Sequence, residues 1–440
     1  MTELPSEFKE RMRAQLGDAF PDFIACYDEP PKRGLRVNTL KIGIDVFVEE
    51  RPFELSPTGI IEEGFVVNGA ENVGKHPYHA AGLFYMQEPS AMSAVSACGA
   101  DLSGLRVLDM CAAPGGKTGG AAARMRGKGI LIANEIVPKR AKLLTQNIER
   151  LGIPNAAVIC ERPDNIAAKL PGFFDLVMVD APCSGEGMFR KDEGAIREWS
   201  PEHVAACAER QKLIMESAAE CLSPGGAIVY STCTFSPDEN EGVIEAFLNK
   251  HADFSIEFME RLYPHTCCGE GHFVCRLRRE GELESKAVSP FPEARDKKAL
   301  EALRGFAADT LEGGLPEGLV HISGDVLRLV PRGMPIEALS LRPVACGVEL
   351  GAMRKGRFEP SHTFFMAALG TEFTRELAFS ADDERAGLFL SGNTLPCPEG
   401  WRGYCAVSVT AGGTAHPLGF GKAVDGVLKN HLPKGLYINR

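Results

Sequence analysis

Two cysteines stand where a thiol can react. Cys183 lies in Asp180-Ala181-Pro182-Cys183-Ser184-Gly185 and Cys233 in Ser231-Thr232-Cys233-Thr234, each at the exit of a strand-like apolar run and among small polar residues. The thiolate is the nucleophilic form of cysteine. Reactive thiols sit in partly exposed loops of this kind, whereas structural ones sit mid-strand or on the apolar face of a helix. The sequence holds fourteen cysteines, and the other twelve are expected to be packing thiols, Cys160 in a strand and Cys207 on a helix among them. No C-x-x-C pair occurs, so the usual structural-zinc and thioredoxin-like spacings are absent and no metal site is expected.

A second chemical feature is the loop LDMCAAPGGKT (108–118), which has two readings. Gly116-Lys117-Thr118 matches the end of the phosphate-binding pattern G-x-x-x-x-G-K-[ST], with Asp180 as a magnesium-holding strand end. That pattern requires glycine at position 111, which is Cys111, and Pro114 stiffens a loop that should wrap phosphates; the dinucleotide fingerprint G-x-G-x-x-G is also missing. The other reading is a nucleoside-type ligand without phosphates. Ala112, Ala113, Gly115 and Gly116 let backbone approach a ligand closely, and the helix start near Lys117 can hold a carboxylate. Glu135 closes the next strand-like run, where an acidic group accepts from ribose hydroxyls, and Asp164 follows the third, where it can accept from an adenine amino group. These features together suit S-adenosylmethionine.

A thiol beside a methyl donor has a defined use. Cytosine C5 is too electron-poor to attack a sulfonium methyl, but a thiolate added to C6 makes C5 an enamine carbon, dividing one hard step into two easier ones. A base must then remove the C5 proton so that the thiol can leave, and an acidic group near N3, such as Asp180, would stabilise the adduct. The residues alone leave open which of Cys183 and Cys233 attacks.

The elements that must carry these groups are legible from period and punctuation. Apolar runs at 106–111, 129–135, 156–160, 174–180 and 227–233 alternate with helical stretches at 117–127, 138–152 and 201–226. Such alternation means a parallel sheet covered on both faces, an α/β, Rossmann-like doubly wound domain over 101–280. Strands four and five are expected beside strand one, bringing both cysteines to the methyl group. Residues 1–100 read as a small N-terminal α/β domain, with a helix at 6–17 capped by Ser6, a strand at 33–41 and a short helix at 87–99. A polar, proline-containing linker (281–300) leads to a mixed segment (301–370) and a β-rich end (371–440). The net charge, 48 − 59 = −11, argues weakly against a protein that coats nucleic acid, and 44% apolar residues exclude global disorder. No apolar run approaches membrane-spanning length and MTELPSEFKERMR has no export-type apolar core, so a cytoplasmic protein without membrane contact is expected.

CAAPGGKT, DAPCSGEGMFR and STCTFSPDENE, in this order, resemble the signature motifs of the Nop/Sun family of RNA cytosine-5 methyltransferases. The flanks KGRFEPSHTFFMAAL (355–369) and PLGFGKAVDGVLKNHLPKGL (417–436) look like the C-terminal part of bacterial RsmF-type 16S rRNA methyltransferases, whose last domain is PUA-like. The resemblance implies an S-adenosylmethionine site built from Cys111, Ala112, Ala113, Pro114, Gly115, Gly116, Lys117, Glu135, Asp164 and Asp180, with Arg140 a further candidate. It also implies that Cys233 attacks and that Cys183 assists product release, with Lys191 contacting RNA or the catalytic loop. His272 departs from the related pattern and is read as a local structural histidine rather than a lining residue.

RNA is the expected partner, small-subunit ribosomal RNA or the 30S subunit, bound by a monomer. Three basic clusters suit phosphate contacts: Lys32, Arg33 and Arg36; Arg354, Lys355 and Arg357; and Lys422, Lys429, Lys434 and Arg440. Three alternatives are a transfer RNA methyltransferase, a P-loop NTPase, disfavoured by Cys111, and a non-enzymatic ribosome-assembly factor, disfavoured by the presence of both Cys183 and Cys233.

Overall fold

The structure, a computed structural model, describes residues 3–69, 72–283, 288–370 and 372–438. Helix α1 (Ser6–Leu16) buries Phe8 and Met12 and stops at Gly17; Pro5, not Ser6, occupies its cap position. Phe8, Met12, Phe20 and Phe23 pack on Phe189, Ile196, Trp199, Val204 and Phe235, so the first helix braces the loops that follow the two cysteines. Strand β1 (Gly34–Val37) then lies inside a four-stranded antiparallel sheet with β2 (Glu54–Pro57), β3 (Gly64–Asn68) and β4 (Phe84–Met86), in the order β2-β3-β1-β4. A single 3-10 turn, Ser90–Met92, and helix α2 (Ser93–Ala97) connect it to the central sheet.

That sheet follows the apolar runs closely. β5 (Arg106–Asp109), α3 (Gly116–Met125), β6 (Ile130–Asn134), α4 (Pro138–Leu151), β7 (Ala156–Ile159), α5 (Pro163–Lys169), β8 (Phe174–Asp180), α6 (Pro201–Cys221) and β9 (Leu222–Thr232) alternate along the chain. After α7 (Glu241–Leu248) come β10 (Phe254–Leu262) and β11 (His272–Arg279), which add antiparallel to the edge beyond β9. The spatial order is β10-β11-β9-β8-β5-β6-β7, and β5 to β9 run parallel. Alternate residues serve opposite faces: Leu108, Ile132, Val177 and Ile228 join one core, and Val107, Leu131, Leu176 and Val229 the other.

Two details differ from the sequence reading. The long helix ends at Cys221, because Leu222 already pairs with Phe174 and Ser-Pro-Gly-Gly belongs to β9, where Gly225 takes φ +71°. β8 alone neighbours β5 on that side, with β9 one strand further out, so Cys233 reaches the centre through its loop rather than from an adjacent strand. The reversal of strand order between β5 and β8 is the topological switch point, where ligands of open parallel sheets bind.

The C-terminal third holds an antiparallel four-stranded sheet over 319–360 and a five-stranded sheet over 376–430. One strand of this region, Pro343–Cys346, joins the central sheet instead, antiparallel to β7. Of the expected linker, residues 284–287 lie outside the described residues, and a helix capped by Asp296 begins at Lys297. Among the described residues no helix is long and apolar enough to cross a membrane.

Candidate active site

Cys183 and Cys233 meet. Their sulfurs are 3.2 Å apart, in hydrogen-bond contact, and both side chains are half-buried. The Cys233 sulfur beside it, together with burial, pushes the Cys183 thiol well up, so Cys183 holds its proton.

Two buried carboxylates lock the loops that present them. Glu239 accepts from the Ser184 N–H at 2.9 Å, from Thr234 Oγ1 at 3.2 Å, from Gln211 Nε2 at 2.9 Å and from the Ser184 hydroxyl. One side chain thus joins the residue after Cys183 to the residue after Cys233. Glu186, fully buried, accepts from Trp199 Nε1 (2.8 Å), from the Phe235 N–H (2.9 Å) and from Arg11 Nη2 (2.6 Å) on α1. Gly187 N–H donates to the Cys233 carbonyl at 2.8 Å. Charged groups out of water persist only when they are satisfied in this way.

Beside the thiols, Lys117 at the start of α3 pairs with Asp180 at the end of β8, Nζ to Oδ1 2.6 Å, and Ser231 Oγ donates to the same carboxylate at 3.0 Å. Burial alone would raise the Asp180 carboxyl, but the Lys117 ammonium, helped by the Ser231 hydroxyl, holds it below its ordinary value and ionised. Lys117 is therefore committed to a carboxylate rather than to a phosphate. Glu135 is 3% exposed; one oxygen accepts from the Val137 N–H at 2.9 Å and the other pairs with Arg140 at 3.0 Å. Arg140 also donates to the Ala113 carbonyl at 2.9 Å, so it ties Glu135 to the 111–117 loop. Asp109 is buried with Oδ1 unpartnered, while its other oxygen accepts from Thr118 at 2.6 Å; burial pushes it up to about 7.

These groups fit S-adenosylmethionine. The two oxygens of Glu135 keep acceptor capacity for a ribose, the exposed Ile136 offers an apolar face for a base, and the orphaned Asp109 oxygen awaits a donor at the amino-acid end. Asp164 is exposed in the first turn of α5 and paired with its neighbour Arg162 at 2.9 Å.

Other expectations change. Arg36 is not a phosphate contact: it is 2% exposed, donates to the Gly116 carbonyl at 2.6 Å and to Gln87, and carries the N-terminal sheet into the 111–117 loop. Two glycines inside α3 make room for this packing: a Cβ at Gly119 would come within 2.7 Å of Leu151 and 3.0 Å of Arg36 Nη2, and one at Gly120 within 2.7 Å of Val95 and 2.9 Å of Arg36 Nη1. Arg36→Met should therefore cost about 2–4 kcal/mol of stability, as two buried acceptors lose their donor, measured by urea denaturation, and should weaken S-adenosylmethionine binding. A variant as stable as the parent would contradict this role.

Cys160 lies just past β7 and is half-buried rather than mid-strand, and of the twelve supposed packing thiols six are buried and six half-buried. His272 is not a satisfied structural histidine, since neither ring nitrogen has a hydrogen-bond partner. Lys191 pairs with Glu270 at 3.9 Å, joining Arg190 at 3.3 Å, and so links the loop after Cys183 to the turn before β11. Lys32 and Arg33 line a groove of about 700 Å³ between β3 and the Cys268 loop. Lys422 and Lys429 face each other, exposed, across the last hairpin, and Arg440 lies outside the described residues. Sequence reasoning misses Glu186, Glu239 and Asp109 and assigns Arg36 to the surface; the only signals are acidic residues inside the Cys183 and Cys233 motifs and the paired glycines after Lys117.

Residues 103–278 match the family model of the 16S rRNA methyltransferase RsmB/F, and residues 4–89 that of the N-terminal domain of 16S rRNA methyltransferase RsmF. Residues 305–368 match the first C-terminal domain of RsmF rRNA methyltransferase and 376–438 the methyltransferase RsmF PUA domain. Ribosomal RNA small subunit methyltransferase F of Vibrio vulnificus (strain YJ016) is 34% identical, covering 98% of this chain and 97% of its own. Its counterpart in Shewanella sp. (strain MR-4) is 34% identical over 94% and 93%. Among solved structures, a methyltransferase homolog protein from Pyrococcus horikoshii aligns with TM-score 0.54 and 27% identity over 62% of this chain and 100% of that one. NSun6 from the same organism, solved with SFG, shares the fold at TM-score 0.57 and 20% identity over 63% of this chain and 99% of its own. Likeness that runs through the N-terminal sheet and both C-terminal segments, not through the central sheet alone, means that the chain belongs to the ribosomal RNA small subunit methyltransferase F (RsmF) family.

Proposed function

We propose that this chain methylates C5 of cytosine in small-subunit ribosomal RNA, using S-adenosylmethionine as the methyl donor, through a covalent bond between Cys233 and C6. The observation that carries the reading is the 3.2 Å meeting of two thiols from separate strand exits, beside an ionised Asp180. S-adenosylmethionine, held by the 111–117 loop, Glu135 and their neighbours, supplies an electrophilic methyl group. Cys233 adds to C6 and raises the nucleophilicity of C5. Asp180, kept ionised by Lys117, accepts from the N4 amino group and so orients the base against the two thiols. Once Cys233 is bonded to C6, Cys183 gives up its proton to solvent and as the thiolate takes the C5 proton, and the Cys233–C6 bond breaks to release the methylated base and the Cys233 thiolate. Such an attack needs a cytosine out of the stack, so the substrate is a loop or a flipped nucleotide.

The Lys32/Arg33 groove and the Lys422/Lys429 face supply phosphate contacts. The protein works in the cytoplasm as a monomer, on ribosomal RNA or the assembling 30S subunit. The test is to map 5-methylcytosine in ribosomal and transfer RNA of a strain lacking the gene. Loss confined to 16S positions is expected. Loss confined to transfer RNA would shift the substrate, and no loss at all would favour the non-enzymatic assembly role.

A further inference from the structure

His272 opens β11 and is 2% exposed, yet neither Nδ1 nor Nε2 has a hydrogen-bond partner. Buried polar atoms are nearly always paired, so an unused donor and acceptor on one ring calls for a reason. The register gives its position. Val274 stands opposite Ser231 and Phe273 opposite Thr232, so one further step along the ladder sets His272 across from Cys233. Side chains alternate along a strand, which puts His272 on the face that carries Ser231 and, through it, Asp180. Lys117 and Asp180 are the charged groups that act on the ring; burial and the Lys117 charge push it down to about 3, leaving a neutral imidazole with one N–H and one lone pair. Its backbone is pinned from the other side, where Gly271 N–H donates to Ser90 Oγ at 3.1 Å.

Cytosine presents a donor at N4 and acceptors at N3 and O2. A carboxylate such as Asp180 only accepts and is itself held by Lys117 at 2.6 Å, so the C2 carbonyl needs a donor from another group on this face. We propose that His272 is a substrate-contacting residue whose imidazole N–H donates to O2 of the target cytosine, the atom onto which charge spreads as the Cys233 thiolate adds to C6. This assignment rests on the cytosine-5 reading above. It makes His272, in place of a purely packing residue, part of the surface that selects and activates the base.

The test uses His272→Phe, which keeps the ring volume without polar atoms, and His272→Asn, which keeps a donor. Single-turnover methylation and the rate of covalent capture by RNA carrying 5-fluorocytosine are measured beside S-adenosylmethionine affinity and Tm. His272→Phe should slow both rates by about 10- to 100-fold, with cofactor affinity within about twofold of the parent and Tm no lower, and His272→Asn should recover part of the loss. Parental capture rates in His272→Phe would overturn the proposal in favour of packing. A loss accounted for by weaker cofactor binding would overturn it in favour of a cofactor contact. Absence of any adduct with the parent protein would overturn the cytosine-5 reading itself, and the proposal with it.

Discussion

Cys233→Ala should abolish methyl transfer, lowering turnover by about 10⁴-fold or more, and should remove every covalent protein–RNA species. The size follows from the chemistry: without a nucleophile at C6 there is no enamine, and no group left in the site can make C5 attack a methyl. The fold should survive. Cys233 is half-buried at a strand exit, and its loop is held by Glu186 at Phe235, by Glu239 at Thr234 and by the bond from Gly187 to its own carbonyl, which alanine leaves in place. S-adenosylmethionine affinity should accordingly stay within about twofold, because the variant removes none of the cofactor-side groups. Methylation assays with labelled donor and denaturing gels of the reaction decide it. Residual activity within tenfold of the parent would exclude Cys233 as the attacking group.

Cys183→Ala has the opposite signature. Attack at C6 needs only Cys233, but release needs the partner thiol 3.2 Å away. The variant should accumulate a protein–RNA complex that survives boiling in detergent, while multiple-turnover methylation falls by about 10²-fold or more, the range that a positioned proton-transfer group contributes. The complex should vanish in the double variant Cys183→Ala/Cys233→Ala. If Cys233→Ala were the variant that trapped RNA, the roles of the two thiols would be reversed.

What the sequence makes legible here is what local pattern controls. The five parallel strands and their helices follow from apolar runs bounded by Gly and Pro, and both reactive cysteines are visible because each interrupts such a run at its exit. β10 escaped because Phe254–Leu262 is a solvent-facing edge strand whose residues after Phe254 are largely exposed, so no buried alternation marks it. Glu239 and Glu186 escaped for a different reason. Their work is to close loops about fifty residues apart in the chain, Ser184 to Thr234 and Glu186 to Phe235, and nothing local distinguishes such a carboxylate from a solvated one. Arg36 was misread because a cation in a short strand resembles a surface patch until the partner that buries it, the Gly116 carbonyl, is known.

The strand Pro343–Cys346 bears on how the protein is made. It covers the edge of β7, where Ala156–Ile159 is buried throughout, and is tied there by Gly347 N–H to the Ala156 carbonyl at 2.9 Å and by Cys160 N–H to the Arg342 carbonyl at 3.2 Å. During synthesis, the chain through β11 emerges with the catalytic sheet complete except along that side. The apolar edge must wait for some seventy more residues before its cover arrives, a period in which it can pair with any other exposed strand. A fragment cut at the end of β11 would carry that edge permanently, so it should be prone to aggregation even though it contains both thiols and the whole cofactor loop. The strand Pro343–Cys346 is thus an intramolecular guardian of the catalytic sheet, and its arrival is when the enzyme first becomes safe from its neighbours.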